Sequence, residues 1–176
     1  MNYFELFGLT PAFDLDLTQL ATQYRSLQRQ YHPDQLQHAA QSSTAPAPEA
    51  SGVNSALIND AYETLRVAAK RAAYMLMLKG QAIQLEQSIG DIDFLQNALE
   101  VREQLDEADT PEILAGLRLE IIQWLQALSN EFKIDYRDED WPEARDTCRK
   151  LAFMQRILND IDKAEDQFDD LDDFDE

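Results

Sequence analysis

Apolar side chains recur along this chain at intervals of three and four residues, the spacing that places them on one face of an α-helix. The first such stripe consists of Leu17, Leu20, Tyr24, Leu27 and Tyr31. Asp16 is the predicted N-cap of this helix, with Gln19 three residues later. Pro33 disfavours helical geometry in the residue before it, so the helix is predicted to end at His32.

A second stripe predicts one continuous helix, and it consists of Ile58, Ala61, Tyr62, Leu65, Ala69, Ala72 and Leu76. Gly80 is its predicted C-cap. Between the two stripes, residues 35–52 are rich in Ala, Ser, Gln and Pro and predict an exposed loop. Residues 1–80 are therefore predicted to form two antiparallel helices, with short flanking helices and a loop at one end.

Residues 81–90 are a predicted linker, and three further amphipathic helices follow it. The first is predicted near residues 91–107, the second from the cap Thr110 with Pro111 in its first turn, and the third from near Trp141. The later two have core stripes at Leu114, Leu117, Ile121, Leu125, Leu128 and Phe132, and at Ala144, Cys148, Leu151, Met154, Leu158 and Ile161. Short connections predict a three-helix bundle over residues 91–168. From Glu165 the chain is acidic and predicted to fray, with residues 169–176 as a tail.

The absence of alternating strand patterns makes the predicted fold class all-α. No apolar run approaches the length of a membrane span, and the N-terminus lacks the pattern of a signal peptide. One Cys and two His cannot alone complete an iron–sulfur or zinc site, so no metal and no cofactor is expected. The lone Cys148 fits a reducing compartment.

The whole chain has a formal net charge of -19, and its acidic residues are concentrated in the second half. Residues 1–80 hold six Lys or Arg against seven Asp or Glu, whereas residues 81–176 hold nine against 27. Such a half repels nucleic acid and anionic lipid and favours a basic partner. Solubility alone explains the same charge, and composition does not separate the two.

The tripeptide His32-Pro33-Asp34 offers a hydrogen-bond donor and an acceptor at a predicted exposed turn. Arg25 and Arg29 lie four residues apart on the solvated face of the preceding helix, which suits an acidic partner surface. One alternative is a loop pair that only caps helix ends. Another is a catalytic dyad, but no nucleophile stands at a readable spacing, so no catalytic residue is predicted.

The first bundle helix carries more apolar residues than a three-helix bundle needs. Its apolar arc covers roughly 200° at 100° per residue. On the third helix, Phe153 is predicted to face outward, roughly 140° from the centre of the core stripe. Surplus apolar residues in so acidic a protein are a candidate binding site. The alternative is ordinary packing of single apolar residues at the shoulder of a bundle.

Several segments resemble known proteins. Residues 3–9 (YFELFGL), 31–34 (YHPD), 61–66 (AYETLR) and 70–74 (KRAAY) resemble a J domain. Residues 94–95 and 99–107, together with residues 149–151 and Phe153, resemble the scaffold-binding helix and its facing segment in HscB-type co-chaperones of iron–sulfur cluster biogenesis. The resemblance covers nearly the whole chain except the acidic tail. It implies a J domain over residues 1–80 and an L-shaped arrangement with the bundle.

For the first half, the resemblance implies contact with the ATPase domain of a DnaK/HscA-type chaperone. His32, Pro33 and Asp34 would make this contact and stimulate ATP hydrolysis in the partner, with Arg25 and Arg29 beside them. A Gln at position 35, where many J domains have Lys, removes one charge without abolishing the contact.

For the second half, the resemblance implies binding of an iron–sulfur scaffold of the IscU type. The implied patch is Leu95, Leu99 and Phe153, rimmed by Glu100 and Glu103. A Gln at position 96 departs from the usual apolar residue and weakens the expected contact. The implied function is that of a non-enzymatic, cytoplasmic, bacterial co-chaperone. The alternatives are a J-domain protein with a different client and a purely structural helical protein with a fortuitous tripeptide.

Overall fold

The computed structural model describes residues 1–31 and 52–172, and for residues 170–172 it describes the backbone alone. In chain order its helices are α1 (Tyr3–Leu6), α2 (Leu17–Gln30), α3 (Ser55–Arg66), α4 (Ala68–Leu78), α5 (Ile92–Asp106), α6 (Pro111–Arg137) and α7 (Trp141–Asp172). No strand occurs within these two ranges, and the prediction of an all-α fold is confirmed. The predicted loop up to residue 51 lies outside the described residues.

The chain divides into two compact units, which are described separately: unit 1 is Met1–Met75 and unit 2 is Leu76–Glu176. The division falls within α4, whereas the sequence placed the end of the first domain at Gly80. Gly80 itself is the predicted C-cap of α4 and adopts the left-handed conformation, with φ of 73°. Its N–H donates to the Met77 carbonyl at 2.9 Å, and the Gln81 N–H donates to the Leu76 carbonyl at 2.8 Å.

In unit 1, α2 and α3 pack as the predicted antiparallel pair. The ring of Tyr24 stacks on that of Tyr62 at 4.0 Å between centroids. At the other end of the pair, the Ser55 hydroxyl donates to the Tyr31 carbonyl at 3.2 Å, so the start of α3 meets the end of α2. The buried core of this unit includes Phe4, Phe7, Leu20, Ile58, Ala61, Leu65 and Ala72.

The sequence predicted one helix where the structure has α3 and α4, so that prediction is wrong. Val67 adopts an extended conformation (φ -97°, ψ 121°) between the two helices. Arg71 stabilises the break from within the core: its side chain donates to the Leu65 carbonyl at 2.5 Å and to the Phe13 carbonyl at 2.7 Å. The apolar periodicity conceals the break, because Leu65 and Ala69 are buried on both sides of it.

At the start of α2, the structure confirms the predicted N-cap but not the predicted burial of the first apolar residue. The Asp16 carboxylate accepts from the N–H groups of Thr18 and Gln19 at 2.9 and 3.0 Å. Leu17, predicted on the buried face, is 49% exposed, because it occupies the first turn beyond the core. Leu20 is the first buried residue of this helix.

In unit 2, α5, α6 and α7 form the predicted three-helix bundle, with Asp91 and Thr110 as the N-caps of α5 and α6. Its fully buried large side chains are Leu114, Ile121, Phe132, Leu151, Met154 and Ile157. Two members of the predicted stripes, Leu125 and Leu158, are only half-buried. Ile157, which the stripes omitted, takes the interior position beside Leu158.

Helix α7 continues to Asp172, past Glu165, where the sequence predicted that fraying begins. The reason is an ion-pair cluster with the neighbouring helix. Arg118 on α6 pairs with both Glu165 and Asp162 on α7, and these carboxylates raise the pKa of the guanidinium. Three charged groups thereby join the two helices beyond the apolar core.

Candidate functional site

The outer side of α2 carries the two predicted chaperone-binding arginines. Arg25 and Arg29 are both exposed, and the Arg29 side chain donates to the Arg25 carbonyl at 3.3 Å. The inner side of the helix is fixed to α3, because Tyr24 and Gln28 both donate to the side-chain oxygen of Asn59. This anchoring leaves the arginines facing solvent, beside an open surface cavity of about 600 Å³.

His32, Pro33 and Asp34 lie outside the described residues, and their roles stay predictions. Helix α2 ends at Gln30, with Tyr31 as its C-cap, directly before the tripeptide. The structure therefore places Arg25 and Arg29 on one exposed face of the helix that leads into the tripeptide.

The outer face of α5 carries the apolar half of the predicted scaffold-binding patch. Leu99 is 55% exposed and Leu95 is half-buried. The opposite face of α5 supplies the core through Phe94, Ala98, Val101 and Leu105. Ile92, which the predicted patch omitted, is 75% exposed. Its spacing of three residues from Leu95 and seven from Leu99 is the signal that could have found it.

Phe153 lies in the seam between α5 and α7. Its ring packs edge-on against Phe94 at 6.0 Å between centroids, so the residue is half-buried and not fully outward as predicted. Further along the same seam, Arg102 pairs with Asp160 at 3.0 Å. Leu95 precedes Arg102 by one heptad, and Phe153 precedes Asp160 by one heptad. Because the two helices run parallel along these contacts, Leu95 and Phe153 border the same stretch of the seam.

Both residues of the predicted acidic rim are exposed, but they lie at different angles from the apolar face of α5. Glu100 and Glu103 both face solvent on α5. At 100° per residue, Glu103 lies about 40° from Leu99 around the helix, and Glu100 about 100° from it. Glu103 therefore borders the apolar face directly, whereas Glu100 lies further round towards α6.

The start of α5 is fixed against α7 by a charged cap. The Asp91 carboxylate accepts from the Phe94 N–H at 2.9 Å and from the Lys150 ammonium at 2.7 Å. The hydrogen bond from Lys150, and after it that from the Phe94 N–H, lower the pKa of Asp91. The same ammonium lies 5.5 Å from the centroid of the Phe94 ring. These contacts hold the apolar face of α5 in a defined orientation beside Phe153.

The buried thiol of Cys148 offers little chemistry. Burial raises its pKa to about 12, and the thiolate is the form that attacks electrophiles or binds metals. Within residues 1–31 and 52–172, no group of three or more potential metal ligands is clustered. In the same part of the chain, every helix is too short or too polar to cross a membrane. What the described surface offers is two exposed faces suited to binding.

Known proteins match this chain along almost its whole length. Residues 90–162 match the family described as the HSCB C-terminal oligomerisation domain. A co-chaperone protein HscB homolog of Acinetobacter baumannii is 55% identical over 176 residues, covering 99% of this chain and 97% of the relative. A co-chaperone protein HscB homolog of Aeromonas hydrophila is 39% identical, covering 94% of this chain and 97% of the relative.

A solved structure of a similar protein agrees with the fold. The chaperone HscB from Vibrio cholerae superposes with a TM-score of 0.75 at 34% identity, covering 96% of this chain and 99% of that one. A full-length identity of 55% to a curated relative is well beyond what a shared fold alone requires. The chain therefore belongs to the HscB family of J-type co-chaperones.

Proposed function

We propose that this co-chaperone binds an iron–sulfur scaffold protein of the IscU type, delivers it to a DnaK/HscA-type chaperone and stimulates the ATPase of that chaperone. Unit 1 would engage the chaperone and unit 2 the scaffold. Covalent linkage of two binding units raises the local concentration of each partner for the other. The chaperone, and not this chain, would catalyse ATP hydrolysis. We place this role in the bacterial cytoplasm, in iron–sulfur cluster assembly.

The single observation that carries the scaffold-binding half is the apolar face of α5. Ile92 and Leu99 are largely exposed in a half of the chain that holds 27 acidic residues against nine basic ones. Exposed apolar residues are costly for solubility when they lie together, and they typically mark a binding surface. With Leu95 and Phe153 beside them, they make a continuous apolar patch, which we call the α5 patch.

The chaperone-binding half is supported by the exposed arginines of α2. Arg25 and Arg29 present two positive charges directly before the tripeptide at residues 32–34. Charges of this kind steer an acidic partner during encounter and set the association rate more than the final affinity.

The α5 patch is tested by replacing Leu95, Leu99 and Phe153 together with Ala. We expect loss of scaffold binding, since interface anchors of this size cost roughly 2 kcal/mol each when truncated. Calorimetric titration with purified scaffold measures this. Because Phe153 is half-buried against Phe94, the melting temperature of this variant is expected to fall modestly.

A second variant and a control separate binding from stability. Ile92→Ala with Leu99→Ala removes only exposed groups, so it should weaken scaffold binding with an unchanged melting temperature. Leu119→Ala is the control for truncation of an exposed leucine, because Leu119 is 61% exposed on α6 and is not a member of the patch. Unaltered scaffold binding by both patch variants would contradict the proposal. A co-chaperone that serves a different client would show no scaffold binding even as wild type.

A further inference from the structure

Helix α7 presents four cations on one face of the otherwise acidic unit 2. They are Arg145, Arg149, Arg156 and Lys163, which we call the basic stripe. At 100° and 1.5 Å per residue, the four lie within about 40° of one another around the helix and extend over about 27 Å. Unit 2 contains nine Lys or Arg from residue 81 onward, so almost half of them stand on this one face.

The N-terminal half of the basic stripe, Arg145 and Arg149, is held in place by hydrogen bonds to neutral side chains. The Arg145 guanidinium donates to the Gln81 side-chain oxygen at 2.9 Å, and the Arg149 guanidinium donates to that of Gln87 at 2.8 Å. Amides position the two guanidinium groups and leave their charge in place. The Nε of Arg149 is buried without a hydrogen-bond partner. An unsatisfied buried donor of this kind costs free energy.

The positive charges in the C-terminal half of the basic stripe, Arg156 and Lys163, are only partly neutralised by nearby carboxylates. Lys163 pairs with Asp160 at 3.3 Å, and Asp160 is already paired with Arg102. The Arg156 guanidinium lies 5.7 Å from the centroid of the Phe153 ring and forms no ion pair among the described residues. Arg102 and Lys163 therefore share one carboxylate, and Arg156 is left without one among the described residues.

Two surface cavities lie along the basic stripe. An open cavity of about 660 Å³ lies beside Arg145 and Arg149, where the chain before α5 passes α7. A second cavity of about 290 Å³ lies among Phe153, Arg156 and Lys163. The basic stripe thus has a concave surface at each end, as an extended segment of a partner would require.

We propose that the basic stripe is the docking surface for an acidic segment of the scaffold whose apolar part occupies the α5 patch. The inference rests on the proposed function. One observation favours this occupant: Phe153 belongs to the α5 patch while the Arg156 guanidinium of the stripe lies over its ring, so the two surfaces are continuous. The positive charge of the stripe selects an acidic segment. Nucleic acid fits less well, because the remaining charges of unit 2 repel phosphates at longer range.

The experiment measures scaffold association by stopped flow or surface plasmon resonance, at low and at high ionic strength, with the full chain. Arg156→Gln with Lys163→Gln removes two exposed charges and keeps a polar side chain at each position. We expect the association rate to fall about tenfold at low salt, with a weaker salt dependence. Arg145→Gln with Arg149→Gln should act in the same direction, and melting curves check that each variant is folded.

The charge-matched control is Arg66→Gln with Lys70→Gln, which removes two exposed cations of unit 1 and none of the basic stripe. This control should retain the wild-type association rate within about twofold, since surface charges outside the docking face act weakly in salt. If wild type binds scaffold and both stripe variants match it in rate and salt dependence, the stripe assignment is overturned alone. If wild type does not bind scaffold, the proposed function is overturned with it. Binding of a single-stranded oligonucleotide that is lost in the stripe variants would overturn the assignment to an acidic protein segment.

Discussion

Tyr3 has a hydroxyl whose ionisation should be visible in the stability of unit 1. The hydroxyl donates to the Asp60 carboxylate at 2.5 Å, and the ring stacks on Tyr74 at 4.5 Å between centroids. The hydrogen bond to Asp60, followed by burial, raises the pKa of Tyr3 to about 12 from an ordinary value of 10.0. Because the folded-state pKa is the higher one, the stabilisation is complete below pH 10 and is lost as the pH rises towards 12.

Tyr3→Phe removes this ionisation and supplies the comparison. We expect wild type to lose stability relative to the variant between about pH 10 and about pH 12, and the two to run parallel below that window. Urea unfolding at several pH values measures the difference. A constant difference across the whole window would show that the Tyr3 pKa is the same in the folded and unfolded chain.

At the scale of helices, Arg71 is the residue on which the break between α3 and α4 depends. It is buried, donates to the carbonyls of Leu65 and Phe13, and lies 4.9 Å from the centroid of the Phe13 ring. Desolvation by burial lowers the pKa of this guanidinium. Arg71→Met leaves two buried carbonyls without their donor, which should destabilise unit 1 by about 2 to 4 kcal/mol.

Denaturant unfolding followed by far-UV circular dichroism measures this loss. Both tryptophans lie in unit 2, so their fluorescence reports that unit separately and should be unaffected. Arg66→Met is the matched control, because Arg66 is an exposed member of an ion pair with Glu63 and its loss should cost under about 1 kcal/mol. Equal stability of the Arg71 and Arg66 variants would contradict the assigned role.

Local signals predicted the helices of this chain better than they predicted its exceptions. Caps such as Asp16 and Thr110 depend on side chains within a few residues, and the sequence predicts both correctly. The break at Val67 is different, because Arg71 makes it by reaching Phe13, a residue distant in sequence. No Gly or Pro marks that position, so periodicity alone predicted one helix.

The candidate site shows the same limit. Leu99 is exposed as the helical wheel of α5 required, because exposure on one helix follows from periodicity. The position of Phe153 depends on a neighbouring helix, since Phe94 of α5 covers the edge of its ring. The apolar pattern of α5 could have identified Ile92 as part of the patch. The neutral partners of Arg145 and Arg149 could not be predicted, because their positions depend on how the chain folds before α5.

At the scale of the whole molecule, the two halves of the chain that we assign to the two partners differ strongly in net charge. Residues 1–80 are nearly neutral, with six basic and seven acidic residues, and their arginines on α2 face solvent. Residues 81–176 carry a net charge of -18, from nine basic and 27 acidic residues. Strong net charge favours solubility in a bundle with an exposed apolar face, and it makes the basic stripe a local exception.

The central claim is that one chain couples a scaffold to a chaperone ATPase, and steady-state phosphate release from a DnaK/HscA-type chaperone tests it most directly. Wild type is expected to accelerate ATP hydrolysis, and scaffold bound to the α5 patch is expected to increase the effect. His32→Gln should abolish the acceleration while its scaffold affinity and melting temperature stay at wild-type values. Normal acceleration by His32→Gln, or none by wild type, would contradict the account.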